Sequence, residues 1–140
     1  METLATTLIK KHEGLRLKPY RCSIGKLTIG YGRNLSDNGI TLEEAEQLLQ
    51  HNINEVMQQA QTLPFFSALN EVRQAVIVDM IFNMGLPRFQ KFKKTIALIE
   101  QQAWQAAANE MLNSRWARQV GIRSKTLSDM MRYGTEPIQK

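Results

Sequence analysis

The sequence predicts a mostly helical α+β fold, with a small antiparallel-sheet lobe joined by one long helix to a helical lobe. Three observations lead there. After Thr41 a 3.6-residue apolar period runs for about five turns. Between Leu17 and Gly32 the pattern changes to short extended pieces punctuated by glycine. From Val72 to Met84 the chain is apolar almost all round, which marks a helix buried at the centre. At 140 residues, 43% apolar and 22% charged, the chain suits one globular domain with a core of ordinary size. The sheet-bearing lobe is expected over about 14–50, and the helical lobe over about 60–140 together with the N-terminal helix.

Taken in order, Leu4, Ala5, Leu8, Ile9 and His12 fall on one side of a helix that Gly14 can end. Short strands are expected around Ser23-Ile24-Gly25 and Gly30-Tyr31-Gly32, and a loop from Asn34 to Gly39. Thr41-Leu42-Glu43-Glu44 is a capping box. It opens a long helix carrying Leu42, Ala45, Leu48, Leu49, Ile53, Val56, Met57 and Ala60 on one stripe. Pro64 either ends that helix or opens the next element. Gly85 and Pro87 stop the buried helix, and shorter helices are expected over 95–101, 104–112 and 124–132.

A single cysteine, Cys22, excludes an intrachain disulfide framework and a cysteine-cluster metal site. His12 and His51 are far apart with no third ligand pattern, so no metal or other cofactor is expected and both read as helix-surface residues. No apolar run is long enough to span a bilayer, and the N-terminus does not match the pattern of a secretory leader. The net charge of +5 favours anionic partners. Lys10, Lys11, Arg16, Lys18, Arg21 and Lys26 form one basic group and Lys91, Lys93 and Lys94 another. Nucleic acid is not expected as a partner, because the buried helix carries no basic stripe and no recognition motif is present.

The chemistry concentrates in Glu13-Gly14-Leu15-Arg16-Leu17-Lys18-Pro19-Tyr20-Arg21-Cys22 and Leu27-Thr28-Ile29-Gly30-Tyr31-Gly32. Glu13 stands at the negative end of a helix, where that field and partial burial favour a protonated carboxyl suited to donating a proton. Cys22 comes next, at the sheet, and a thiol of ordinary pKa is only about 3% thiolate at pH 7. It becomes a base or a nucleophile only if Lys18, Arg21 or Lys26 lowers its pKa; otherwise it is a compact polar wall. Thr28 is either a strand former or a hydroxyl that holds a reacting water.

These segments resemble the active-site segment of the phage-type lysozymes, the T-even phage endolysin family (glycoside hydrolase family 24), in which E-G, Y, G and T-I-G-Y/I-G enclose the catalytic residues. The resemblance continues through Asn38-Gly39-Ile40-Thr41-Leu42-Glu43-Glu44-Ala45, Asp79 to Gly85, Ser114-Arg115-Trp116 and Arg123-Ser124-Lys125, covering nearly the whole chain. It implies a lysozyme-like single domain and a muramidase cleaving the β-1,4 bond between N-acetylmuramic acid and N-acetylglucosamine in peptidoglycan. Glu13 takes the place of the general acid. Cys22 stands where the family usually carries a second carboxylate, an Asp, and Thr28 matches the residue that positions water. Asn34, Phe82, Asn83 and Thr95 are expected to line the saccharide groove, with Phe82 either stacking on a sugar or packing in the core. Arg123 matches a basic residue that approaches the general acid and favours its ionised form, opposing the helix field. The resemblance also implies a monomer that accumulates in a host bacterial cytoplasm until it is released to the wall. A catalytically weakened peptidoglycan-binding relative is the alternative.

Overall fold

The computed structural model describes residues 2–137. The chain divides into two compact units, Met1–Leu48 and Leu49–Lys140. Together they form an α+β, lysozyme-like set of elements, mostly helical, with one small antiparallel sheet.

The first unit opens with helix α1 (Leu4–Glu13). Thr3 caps it by accepting the Thr6 N–H at 3.1 Å, and Gly14, at φ 72°, ends it. Strands β1 (Arg16–Arg21), β2 (Leu27–Gly30) and β3 (Arg33–Asn34) come next as an antiparallel sheet in that order. Tyr20 pairs with Thr28 and Arg21 with Leu27, and a register irregularity lies between Arg16 and Tyr20. The turn from β1 to β2 closes when the Cys22 N–H donates to the Lys26 carbonyl and the Gly25 N–H to the Cys22 carbonyl, both at 2.9 Å.

Asn34 to Gly39 is not the expected loop. It contains a one-turn helix α2 (Leu35–Asn38), started because the Asn34 side chain accepts the Asp37 N–H at 3.0 Å. The capping box is formed. The Thr41 hydroxyl accepts the Glu44 N–H at 3.1 Å, and the Glu44 carboxylate accepts the Thr41 N–H at 2.9 Å. It starts the long helix α3 (Leu42–Gln61). Glu44 is also gripped by both Arg33 nitrogens, at 2.9 and 2.6 Å, which with the Thr41 N–H pulls its pKa down to about 2.

In the second unit a 3-10 turn at Phe66–Ala68 precedes α4 (Glu71–Met84), α5 (Leu86–Gln90), α6 (Lys93–Glu100), α7 (Trp104–Leu112), α8 (Arg115–Val120) and α9 (Ile122–Tyr133). Helices α5 and α8 go beyond what the sequence pattern predicts. Gly85 does end α4, but Pro87 sits in the first turn of α5, where a missing N–H costs nothing. Ser114 starts α8 by accepting the Ala117 N–H at 3.1 Å. Val76, Ile77, Met80 and Ile81 bury one face of α4 together with Phe89, Ile99, Met111, Trp116, Leu127 and Met131. Phe82 is 43% exposed, so α4 is not buried all round.

Arg73 ties three of these helices together. It lies 3.9 Å over the Trp104 ring of α7, and its Nε donates to the Met131 carbonyl of α9 at 2.7 Å. Gly134, just past α9, is in the left-handed conformation, and a Cβ there would meet the Arg73 guanidinium at 2.7 Å. Glycine is favoured at that position on both counts.

Candidate active site

In the first unit Glu13 stands at the last position of α1 and is exposed, so the expected partial burial is absent. Its carboxylate rests against the backbone of the β2–β3 turn: a Cβ on Gly32 would lie 2.9 Å from Glu13 Oε2. Gly32 also has φ 92°, so its backbone conformation and its lack of a side chain both serve the approach of the Glu13 carboxyl.

Cys22 and Thr28 come together through the sheet. The Cys22 N–H is bonded to Lys26, which places Thr28 two residues further along the facing strand, on the diagonal that brings side chains together. Cys22 is half-buried and is a free thiol. Its pKa is lowered, first by the backbone N–H of Ile24, then by that of Lys26, with burial opposing and the Thr28 hydroxyl adding. Two of the three cations expected to do this are engaged by other groups. Lys26 pairs with Asp37 at 3.0 Å, and Arg21 Nη1 donates to the Gly25 carbonyl at 3.0 Å. Stabilisation of the thiolate therefore comes from turn geometry rather than from lysine or arginine. Thr28 is only 4% exposed, and its hydroxyl donates to the Lys26 carbonyl at 2.9 Å. In that arrangement its lone pairs are left for a further partner, and its single proton reaches the Cys22 thiolate only by giving up the Lys26 carbonyl.

Asn34 lies opposite Thr28 in the sheet, but its amide is used locally: Oδ1 caps α2 and Nδ2 donates to Asp37 at 2.9 Å. A capping role for Asn34 is legible in Asn34-Leu35-Ser36-Asp37, the pattern of an Asx turn.

In the second unit, exposed Phe82 and Arg123 border one hollow of about 360 Å³ with Leu49, Ile53, Val78 and Asp79. Arg123 is held by Asp79, with Nε at 2.7 Å and Nη2 at 2.6 Å from Oδ1. Asn83, also exposed, accepts the Trp116 indole N–H at 2.9 Å. Thr95 is 2% exposed and borders a different hollow, with Phe92, Glu110 and Ser114. His12 and His51 are exposed on their helices, the latter 3.2 Å from Glu55. Gly32, Asp79, Glu110 and Trp116 are site neighbours whose roles the sequence pattern does not single out. Gly32, Asp79 and Trp116 lie within the quoted motifs, but nothing local says which side chain each meets.

No helix among the described residues is long and apolar enough to cross a membrane. The phage lysozyme family model matches residues 10–132. The chain is 28% identical to probable T4-type lysozyme 1 of Dictyostelium discoideum over 158 aligned positions, covering 91% of this chain and 93% of that relative. It is 38% identical over 86 residues to an endolysin of Acyrthosiphon pisum secondary endosymbiont phage 1, covering 59% of this chain and 58% of the relative. A 24% likeness to the pre-baseplate central spike protein Gp5 of Enterobacteria phage T4 covers 91% of this chain but 27% of that protein. The match from residue 10 to residue 132 takes in Glu13, Cys22, Thr28 and every other candidate residue above, and the chain belongs to the phage lysozyme family of glycoside hydrolases.

Proposed function

We propose that the protein is a peptidoglycan muramidase that hydrolyses the β-1,4 bond between N-acetylmuramic acid and N-acetylglucosamine. The observation that carries this reading is the Glu13 carboxyl seated on Gly32, in the same unit as the paired Cys22 and Thr28. Glu13 protonates the leaving glycosidic oxygen, which is the step a glycosidase assigns to its carboxylic acid. On the other face of the sugar a water must lose a proton. The Cys22 thiolate, favoured by two backbone N–H groups, is the base for that proton, and Thr28 positions the water through its lone pairs. This assignment inverts the anomeric carbon; direct attack by sulfur would give a glycosyl thioether and retain it. Phe82 offers an exposed ring for a sugar face, and Asn83 an exposed amide. The likeness to a phage endolysin supports accumulation in the host cytoplasm and release to the wall.

Turbidity loss and reducing-end release from purified peptidoglycan test the reading. Wild type should cleave, Glu13→Gln should lose about 10²–10⁴-fold in rate, and Cys22→Ser should fall well below Cys22→Asp. An inert wild type whose Cys22→Asp variant gains activity would instead establish the second reading, a peptidoglycan-binding relative. That reading is favoured by one observation, a thiol in the second catalytic position.

A further inference from the structure

Glu13 takes its place from a turn that has little of its own to hold it. Gly30-Tyr31-Gly32 carries the chain from β2 into β3, and both glycines have positive φ, 70° and 92°. Glycine is the residue with the most backbone freedom to lose on folding. The ladder behind the turn is two pairs long, Thr28 with Asn34 and Ile29 with Arg33. Apolar packing does not hold it either. The turn borders an open hollow of about 420 Å³ with Leu35, Ile40 and Glu44, and no apolar side chain of Met1–Leu48 is buried among the described residues.

The end of α1 nevertheless rests on this turn. A Cβ on Gly32 would lie 2.9 Å from Glu13 Oε2, and Lys10 Nζ stands 5.6 Å from the centre of the Tyr31 ring. Both contacts come from the last turn of α1. A shift of residues 30–32 therefore shifts the Glu13 carboxyl relative to Cys22 and Thr28, whose places are set by the β1–β2 pairing.

The fastening comes from the first residue after the turn. Arg33 Nη1 donates to Glu44 Oε1 at 2.9 Å and Nη2 to Oε2 at 2.6 Å, while Nη1 also donates to the Gly39 carbonyl at 3.2 Å. A two-pronged pair fixes orientation as well as distance. Glu44 is itself fixed, because its carboxylate accepts the Thr41 N–H and its own N–H donates to the Thr41 hydroxyl. The fork thus ties the β2–β3 turn to the first turn of α3. The two side chains are 41% and 35% exposed, so solvent screening leaves the pair little to add to stability. Its effect is on geometry. We infer that Arg33 is a positioning residue for Glu13: gripped by Glu44 and the Gly39 carbonyl, it holds Gly32 where the Glu13 carboxyl can stand. Arg33 acts through the turn and not on the sugar. The inference rests on the muramidase reading for the reaction it serves. Proton donation is realised in the transition state, so an acid displaced by about 1 Å loses kcat by up to about 10²-fold and leaves ground-state binding as it was.

Steady-state cleavage of soluble glycan strands by the full chain, with NMR on the same samples, tests this. Arg33→Gln should lower kcat about ten- to a hundredfold with KM within about twofold of wild type. Arg33→Lys keeps the charge but not the fork, and its kcat should fall between the two. Glu44→Gln keeps an acceptor for the Thr41 N–H but leaves a single prong, so its loss should be the smaller one. The double variant should be no worse than Arg33→Gln alone. Thr41→Ala weakens the α3 cap without touching the fork, and should keep kcat within about twofold of wild type. In Glu44→Gln, a substitution remote in sequence from both, the Gly32 and Glu13 amides should shift, and in Thr41→Ala they should stay. Unchanged kcat in Arg33→Gln, a loss confined to KM, an equal loss in Thr41→Ala, losses that multiply in the double variant, or unmoved amides in Glu44→Gln would each overturn the inference. A wild type that does not cleave would count against the muramidase reading alone, and the amides still decide whether the fork holds the turn beneath Glu13.

Discussion

The unit that carries the candidate chemistry and the unit that carries the core are built in opposite ways. Among the described residues of Met1–Leu48, one side chain is buried, and it is polar: Thr28. Every residue of the apolar core comes from Val56 onward. In the first unit local hydrogen bonds do the organising. The Thr3 cap, the Cys22–Lys26 turn, the Asn34 cap and the Arg33–Glu44–Thr41 cluster each fix a few residues. In the second unit Phe89, Ile77, Met80 and Met131, all at 0–1% exposure, are fixed by packing. A hydrogen-bonded scaffold sets atoms such as Glu13 Oε2 without enclosing them, which suits a site that must meet a polymer. A packed scaffold supplies stability, since burial rather than solvent-exposed hydrogen bonding dominates folding free energy.

Substitutions can break that contrast or sharpen it. The largest effect is expected on activity in the first unit, where Glu13→Gln should remove about 10²–10⁴-fold of rate while thermal unfolding moves by about 0.5 kcal/mol or less, because the side chain is exposed. A large drop in melting temperature for that variant would erase the division of labour. In the second unit the reverse is expected. Phe89→Ala, at a site of 0% exposure, should cost about 3–5 kcal/mol in chemical denaturation through lost burial and an unfilled cavity. Gly134→Ala comes next, at about 1–2 kcal/mol for left-handed backbone alone, and more if Arg73 cannot give way to the new Cβ. Pairing it with Arg73→Met should relieve the clash but not the backbone cost, and a double-mutant cycle separates them.

Thr41→Ala removes one half of the capping box and should cost about 1 kcal/mol, which calorimetry on the full chain resolves. The smallest effect is electrostatic. The Glu44 carboxyl is held down to about 2 from 4.5 by Arg33 and the Thr41 N–H, so it binds fewer protons folded than unfolded in that interval. Its stabilising contribution is present above pH 4.5 and is lost as pH falls toward 2. Glu44→Gln should flatten the acid limb of the stability curve within that window by lowering stability at neutral pH, the variant and the wild type converging as pH falls toward 2. An acid limb of unaltered slope would show that exposed solvent screens the cluster entirely.

How much the residues reveal depends on the range of the forces involved. Thr41-Leu42-Glu43-Glu44 and the stripe after it announce α3 because capping and amphipathicity are satisfied within a few residues. Gly14, Gly85 and the apolar face of Val76, Ile77, Met80 and Ile81 are legible for the same reason. Asn34-Leu35-Ser36-Asp37 and Ser114-Arg115-Trp116-Ala117 carry equally local caps, but helices of four and six residues leave too little period to distinguish them from loops. Pro87 reads as a stop because proline is compatible with both an ending and a first turn, and only its neighbours in space choose.

By itself, then, the sequence determined the elements with a local signature, the family through its spaced motifs, and the identity of the residues available for chemistry: Glu13, Cys22 and Thr28. Tertiary structure alone decided what each of them touches. It seated Glu13 on Gly32, whereas the backbone N–H groups that lower the Cys22 pKa come from its own turn, at Ile24 and Lys26. It turned Phe82 outward from a helix whose composition reads as buried, and bound Arg123 to Asp79 across 44 residues. The physical reason is that a pKa, a contact or an exposure depends on distance and solvent access, and neither quantity is fixed until residues remote in the chain have packed together.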